Sequence, residues 1–597
     1  METQVQTGTK AVINGKECYA KENESILELA KRNDIHIPTL CHHSDLCLKG
    51  VCRVCVVEVE GQRLLQTACS TPVVDGMVIN TNTEKVRKSR KMIIELLLST
   101  HYGECLTCKR NLNCELQTLA AQHGIEETRF ERPKERRYEI EEATPIVRDN
   151  DKCVLCRRCV RVCEELQGVE AIKPVHRGKE SSIGCLYNLD LGEIVCVMCG
   201  QCINRCPTGA LTEKDATKDV WAALDDPTKH VVVQTAPAIR AALAEAFNIP
   251  PGERVTGKTV TALKKMGFDG VFDTDFTADL TILEEGTELL TRLKKALVNG
   301  EKVPVPLLTS CSPGWINYIE HYYPDLLPNL STCKSPQQMF GALAKTYYAQ
   351  KMGINPESIV TVSVMPCTAK KFEADRPEMC DSGYKDVDYV LTNRELARMI
   401  KQSGLNLMEL KEGEYDSPMG ISTGAAVIFG VTGGVMEAAI RTAYELVTGR
   451  EVPFNNLEIH PVRGMEGVKE ASLVIENALP EWSFLEGVEV QVAVANGLAN
   501  AKKVMDKVRS GEVAYHFIEI MACPGGCLGG GGQPIPTSKE IREKRAKAIY
   551  DEDRNLCLRK SHDNPAVKKL YEEFLGAPLG EKSHKLLHTH YTPRELW

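Results

Sequence analysis

The chain has 597 residues, 43% hydrophobic and 26% charged, which is enough for three to five globular domains and a buried site. Its formal net charge of −8, spread over that length, argues against nucleic acid or an anionic membrane as the main partner. The amino terminus lacks a basic stretch followed by an apolar run, and no segment reaches transmembrane length, so the expected location is the cytoplasm. There, 25 reduced cysteines at short spacings point to metal rather than disulfides.

In chain order, β-rich runs at Lys10–Asn14, Arg53–Val59 and Gly76–Asn80 and a helix at Ser25–Asn33 predict a small α+β module, taken as residues 1–84. It holds Cys41, Cys52, Cys55 and Cys69: a distant first cysteine, a Cys-x-x-Cys pair and a distant fourth. The pattern resembles a plant-type 2Fe-2S ferredoxin domain, with a longer first gap. Cys47 stands as a rival ligand and zinc as the competing metal. Residues 85–125 read as mostly helical and carry His101, Cys105, Cys108 and Cys114. One imidazole and three thiolates resemble the histidine-ligated 4Fe-4S site of hydrogenases and of the large iron-sulfur subunit of respiratory complex I. The charged run Glu131–Glu142 reads as a linker or solvated edge.

Residues 140–217 contain two copies of the bacterial ferredoxin run, Cys153, Cys156, Cys159, Cys163 and Cys196, Cys199, Cys202, Cys206, the second followed by Pro207. In such pairs the fourth cysteine of each run ligates the other cluster, so Cys153, Cys156, Cys159 and Cys206 are assigned to one 4Fe-4S and Cys163, Cys196, Cys199 and Cys202 to the other. Clusters in a row make a path for single electrons. Gly430-Val431-Thr432-Gly433-Gly434 lacks the spacing of a dinucleotide site, so another protein must supply or take up the electrons.

From about residue 225 to the carboxyl terminus, predicted strands at His230–Thr235, Val305–Ser310, Ile359–Met365, Asp386–Leu391, Glu489–Ala495 and Tyr515–Met521 alternate with amphipathic helices. This predicts parallel sheets covered by helices, with ligands beyond the strands' carboxyl ends. Cys311, Cys367 and the pair Cys523/Cys527 each follow such a strand. The fold class is therefore multidomain α+β and α/β, ending in a two-lobed α/β catalytic domain.

Thr309-Ser310-Cys311-Ser312-Pro313-Gly314-Trp315, Met365-Pro366-Cys367-Thr368-Ala369-Lys370-Lys371-Phe372-Glu373 and Glu519-Ile520-Met521-Ala522-Cys523-Pro524-Gly525-Gly526-Cys527 resemble the three active-site signatures of iron-only (FeFe) hydrogenases. The resemblance extends over nearly the whole chain, including Lys334-Ser335-Pro336-Gln337-Gln338 and a small-subunit-like segment from about residue 540. It implies reversible interconversion of H2 with protons and electrons at an H-cluster, a 4Fe-4S cubane bridged to a di-iron unit bearing CO, cyanide and dithiomethylamine. One 2Fe-2S and three accessory 4Fe-4S clusters would feed it. It further implies Cys367, Cys523 and Cys527 as ligands, Cys527 bridging, Lys370 donating to a cyanide, and Met365, Met521, Pro336 and Gln337 around the irons. The resemblance implies a proton route through Cys311, Glu285, Ser331, Glu288 and Arg292; the spacing alone, which puts Glu285, Glu288 and Arg292 on one helical face, favours an ordinary i, i+4 ion pair with no catalytic role.

The family's first signature usually has two adjacent cysteines, one relaying protons and one ligating the cubane; here the second is Ser312. Either Cys311 ligates and Ser312 relays, or the reverse; because iron of a cubane prefers thiolate, Cys311 is taken as the ligand. Cys18, Cys47, Cys185, Cys333, Cys380 and Cys557 remain, most of them expected to be packing residues. Expected partners are a flavin- and NAD(P)-binding subunit, a small 2Fe-2S subunit or ferredoxin, and hydrogenase maturation proteins, with no nucleic acid or membrane. The alternative is a hydrogen-sensing or cluster-assembly protein without high turnover.

Overall fold

A computed structural model describes residues 8–596; residues 1–7 of the stretch read for a targeting signal lie outside them. The amino-terminal module is a five-stranded sheet in the order Lys16–Ala20, Thr9–Ile13, Met77–Asn80, Val56–Val59, Gln66–Thr67. Its first hairpin turns on Asn14-Gly15, both at positive φ, the signature of a tight turn whose twist matches that of the paired strands. The strand Lys16–Ala20 was not anticipated, because Lys16 and Glu17 hide its alternation. Ser25 caps the helix Ile26–Arg32 through a reciprocal capping box with Glu28.

Helices Glu84–Leu98 and Glu115–Gln122 flank the loop that carries His101 and its three cysteines. The charged run that follows is not loose: Arg136 pairs with Asp149 and Arg137 with Asp151, just after Arg129 pairs with Glu95. The two-run ferredoxin module packs its cysteine loops between two short antiparallel ribbons, Ile146–Arg148 with Leu211–Glu213 and Lys173–Val175 with Ser182–Gly184.

The catalytic half has two four-stranded sheets. The first is wholly parallel, in the order Gly270–Asp273, His230–Thr235, Ile359–Met365, Tyr389–Thr392. The second runs Leu307–Leu308, Phe517–Met521, Glu489–Asn496, Val468–Val474; its last strand is antiparallel, which corrects the expectation of parallel sheets alone. The predicted strand Val305–Ser310 shrinks to two residues because Pro304 and Pro306 lack the N–H a ladder needs. Asp386–Leu391 begins instead at Tyr389, since the Asp388 carboxylate accepts the Thr361 amide and caps the neighbouring strand.

Helices Lys539–Asn555, Pro565–Leu570 and Glu581–Leu587 form the carboxyl-terminal segment. It is tied to the amino-terminal module through Asp45, which accepts hydrogen bonds from Arg205 of the ferredoxin module (2.7 Å) and Arg542 (2.8 Å). No helix among the described residues is long and apolar enough to cross a membrane.

Candidate active site and its electron relay

Cys41 lies against Cys52 and Cys55 against Cys69, and the Cys41 thiol also bears on Cys69, so the four cysteines converge within one module. Cys47 is exposed, and both its amide and its thiol bond to Glu165. At the next site, His101, Cys105, Cys108 and Cys114 line one cavity. The His101 Nδ1 is buried without a hydrogen-bond partner, and burial together with Arg132 pulls the imidazole down to about 4, so it is neutral at pH 7 and able to donate a lone pair to metal. A Cβ on Gly209 would stand 2.6 Å from the Cys108 sulfur, so the backbone there closely approaches the ligand loop. These residues fit a cluster.

Cys153, Cys156, Cys159 and Cys206 line a second cavity. Cys163, Cys196 and Cys199 surround Cys202, and all four are half-buried. The sites are contiguous: Cys41, Cys52, Cys114 and Cys156 share one apolar cluster, Cys202 lies beside Cys159, and Cys199 reaches the wall of the catalytic cavity. The first two sites thus both abut the one containing Cys156.

The catalytic cavity opens where strands of both sheets end. Ala236 and Pro237 follow one strand, Thr274 another, Pro366 and Cys367 a third; Ser312 and Cys523 follow strands of the second sheet. Cys311, Cys527, Lys370, Met365, Met521, Pro336 and Gln337 complete the wall. Cys367 lies against Cys523. Burial raises the Cys527 thiol to about 12, with Cys367 adding to it and Lys370 opposing it. Gly526 at φ +81° and Gly530 let two backbone segments close over the cavity; a Cβ on Gly530 would strike Pro366 O at 2.2 Å. The Gln337 Oε1 is buried and unpartnered. Three convergent sulfurs, a glycine cradle and an orphaned amide fit a bulky iron-sulfur cofactor.

Lys370 Nζ donates to Cys311 O (3.1 Å) and to Glu373 Oε2 (2.9 Å). The same Glu373 oxygen accepts from Ser335 Oγ (2.8 Å) and Gln337 Nε2 (3.0 Å). Glu373 thus aligns two cavity residues, Lys370 and Gln337, a role not assigned from sequence because the motif shows it only as the last letter of a signature.

From the cavity a polar line leads outward. Glu285, Glu288 and Arg292 share a face of the helix Thr274–Leu297. Arg292 donates to Glu288 Oε1 (2.6 Å), which is the ion pair expected from spacing alone, and Ser331 donates to Glu288 Oε2 (2.9 Å). Arg292 is half-buried and also holds the carbonyls of Pro304, Pro328 and Leu330, at the molecule's edge. Burial, then the Glu288 carboxylate, push Glu285 up to about 8, with Ser331 and the Ser310 amide opposing. The Cys311 thiol is raised by burial and by the Glu285 charge. Cys333 and His588 crowd Glu288 from the other side; neither carried a local signal, since each is brought there by distant chain.

Of the six remaining cysteines, Cys18, Cys185 and Cys333 are buried and pack, whereas Cys47, Cys380 and Cys557 are exposed, against the expectation that most would pack.

Family comparisons agree along the length of the chain. Residues 229–531 match the iron only hydrogenase large subunit, C-terminal domain, and 539–594 the iron hydrogenase small subunit. Upstream, 8–84 match a 2Fe-2S iron-sulfur cluster binding domain, 90–129 the NADH-ubiquinone oxidoreductase-G iron-sulfur binding region and 144–212 the ferredoxin-like domain of NADH-quinone oxidoreductase subunit 3. The NADP-reducing hydrogenase subunit HndD of Solidesulfovibrio fructosivorans is 49% identical, covering 98% of each chain, and iron hydrogenase 1 of Clostridium pasteurianum is 42% identical, covering 97% of this chain and 99% of its own. A variant of apo [FeFe]-hydrogenase HydA1 from Chlamydomonas reinhardtii superposes with a TM-score of 0.57 at 48% identity, over 64% of this chain and all of that one. The chain is an oxidoreductase of the iron-only (FeFe) hydrogenase family, with 2Fe-2S and 4Fe-4S domains ahead of its H-cluster domain.

Proposed function

We propose that the chain interconverts H2 with protons and electrons in the cavity walled by Cys367, Cys523 and Cys527, exchanging its electrons with a flavin- and NAD(P)-binding partner subunit through its amino-terminal centres. The observation that carries this reading is that the cavity wall holds both Cys199 of the relay and Cys311, and that Glu285, on the helix face of Glu288 and Arg292, bears on Cys311. One delivers electrons, the other protons, and the reaction needs both.

The functional units are residues 1–84 for one 2Fe-2S centre, 85–125 for a histidine-ligated 4Fe-4S, 140–217 for two further 4Fe-4S and 225–597 for the H-cluster. When bound, the di-iron unit supplies the chemistry of making and breaking the H–H bond. The protein's own residues exclude water through an apolar wall of Met365, Met521 and Phe429, and Lys370, fixed by Glu373, points an ammonium into the cavity as a charge-assisted donor. Glu285 holds a proton at neutral pH. Ser331 accepts and donates between it and Glu288, and Arg292 fixes Glu288 at the outer end.

HndD is named as a subunit of an NADP-reducing hydrogenase, which supports a multimeric assembly, with ferredoxin as the second reading of the partner; a cytoplasmic location is proposed from the cysteines grouped at short spacings. Maturation proteins would install the di-iron unit. The anaerobically matured chain, purified alone, is expected to evolve H2 from reduced viologen and to be inert with NADH and NADPH. Turnover with either nucleotide in the absence of another subunit would contradict the partner assignment.

A further inference from the structure

We propose that Ser312, rather than Cys311, supplies the fourth corner of the catalytic cubane, as an oxygen donor beside the Cys367, Cys523 and Cys527 thiolates, leaving Cys311 to carry protons between Glu285 and the di-iron pocket. The proposal rests on the hydrogenase reading, and it reverses the ligand preference drawn from sequence.

The two side chains sort to different sides of the cavity. Cys311 packs on the apolar cluster of Ala278, Phe429 and Met521, and the charges that bear on it are Glu285, first, then Lys370, Cys527 and Glu519. Ser312 faces the opposite loop: its Oγ accepts a hydrogen bond from the amide of Ala522, the residue before Cys523, at 3.2 Å. Two residues on, a Cβ on Gly314 would lie 3.1 Å from Ala522 Cβ and 3.7 Å from Cys199 Cβ, so this segment runs along the wall that carries the cluster cysteines.

A second observation is independent of that sorting. Ser312 is the N-cap of the helix Pro313–Tyr322, with extended backbone, and serine is among the best capping residues. Yet its hydroxyl makes no capping bond to its own helix. It is turned instead into the cavity, where one lone pair takes the Ala522 amide and the rest of the oxygen is free. A four-iron cubane requires four donors. Among the other hydroxyls and thiols of the wall, Cys199 belongs to the relay set and the Thr274 hydroxyl is spent on Gln234 (2.9 Å). That leaves Cys311 and Ser312, and the hydrogen bond from the Ala522 amide, beside Cys523, selects Ser312.

Oxygen is harder than sulfur, so this corner stabilises oxidised iron more and is held by a less covalent bond. The Ala522 amide, by donating to Oγ, stabilises the negative charge of a deprotonated serine, as outer-sphere donors do for metal ligands.

The test compares the anaerobically matured full chain with Ser312→Cys, Ser312→Ala and Cys311→Ala by infrared potential titration, reading the potential at which the CO and cyanide bands shift on reduction of the neighbouring cubane. Ser312→Cys is expected to raise that potential. Ser312→Ala is expected to open the corner, so that added imidazole moves the bands, as it does not in the parent. Cys311→Ala is expected to keep bands and potential while H2 evolution falls about 100-fold or more, the scale of a lost proton relay. Loss of the bands in Cys311→Ala, or a potential unchanged in both Ser312 variants, would overturn the assignment. Should Ser312→Ala fail to accumulate, the potential of Ser312→Cys against the parent decides alone. Absence of the bands in the parent would instead refute the hydrogenase reading, so the two failures are distinguishable.

Discussion

Glu285 shows how one side chain is tuned by its surroundings. Its carboxyl is raised from 4.5 to about 8, first by burial and then by Glu288, so it is a neutral acid at pH 7 and able to give a proton inward. The native chain keeps a proton that the unfolded chain releases above about pH 4.5, so Glu285's contribution to stability is greatest below that pH and declines until pH passes about 8. Hydrogen evolution is expected to fall above pH 8 as the acid ionises. Glu285→Gln keeps a buried amide of similar shape but cannot pass a proton. It should lower H2 evolution by about 10²- to 10⁴-fold and abolish the inflection near pH 8, with the infrared bands retained. A variant with parental turnover would remove Glu285 from the route.

At the scale of elements, Asp45 is where the amino-terminal module, the ferredoxin module and the carboxyl-terminal helix Lys539–Asn555 meet. Its side chain is 7% exposed, with Arg205 at 0% and Arg542 at 8%. Burial opposes its charge, but Arg542 and Arg205 outweigh that and hold the carboxyl at about 2, below the ordinary 3.8. Its stabilising contribution is therefore present above pH 3.8 and lost as pH falls towards 2. Asp45→Ala leaves two buried guanidinium groups without their carboxylate, a loss of about 3–5 kcal/mol in comparable pairs. The expected result is a lower melting temperature and release of residues 1–84 on limited proteolysis. A variant as resistant as the parent would show that the modules are docked by packing alone. Legibility differed sharply among elements. His230–Thr235 and Ile359–Met365 were readable in full because both are rich in β-branched residues and buried along nearly their whole length. Gly270–Asp273 and Val468–Val474 were not: the first is four residues long and opens on glycine, and the second is an edge strand with a largely open outer face. Cysteine spacing marked the cluster motifs, because iron chemistry demands local repeats. Spacing could not say which way Cys311 and Ser312 face, which depends on a loop 210 residues away.

Over the whole molecule, the arrangement is a branched conduit: the 2Fe-2S and histidine-ligated sites both touch the site containing Cys156, and a single line continues through Cys202 and Cys199 to the cavity. Two branches suit a chain that meets more than one redox partner. In the proposed relay, His101 in one branch would replace a thiolate with a neutral ligand and so raise that centre's potential relative to an all-cysteine cluster. All of this has purpose only if the cavity binds a di-iron unit. Infrared spectroscopy of the anaerobically matured full chain tests that most directly. The account predicts CO and cyanide stretching bands that shift under H2; a chain with its iron-sulfur clusters complete but no such bands would contradict it.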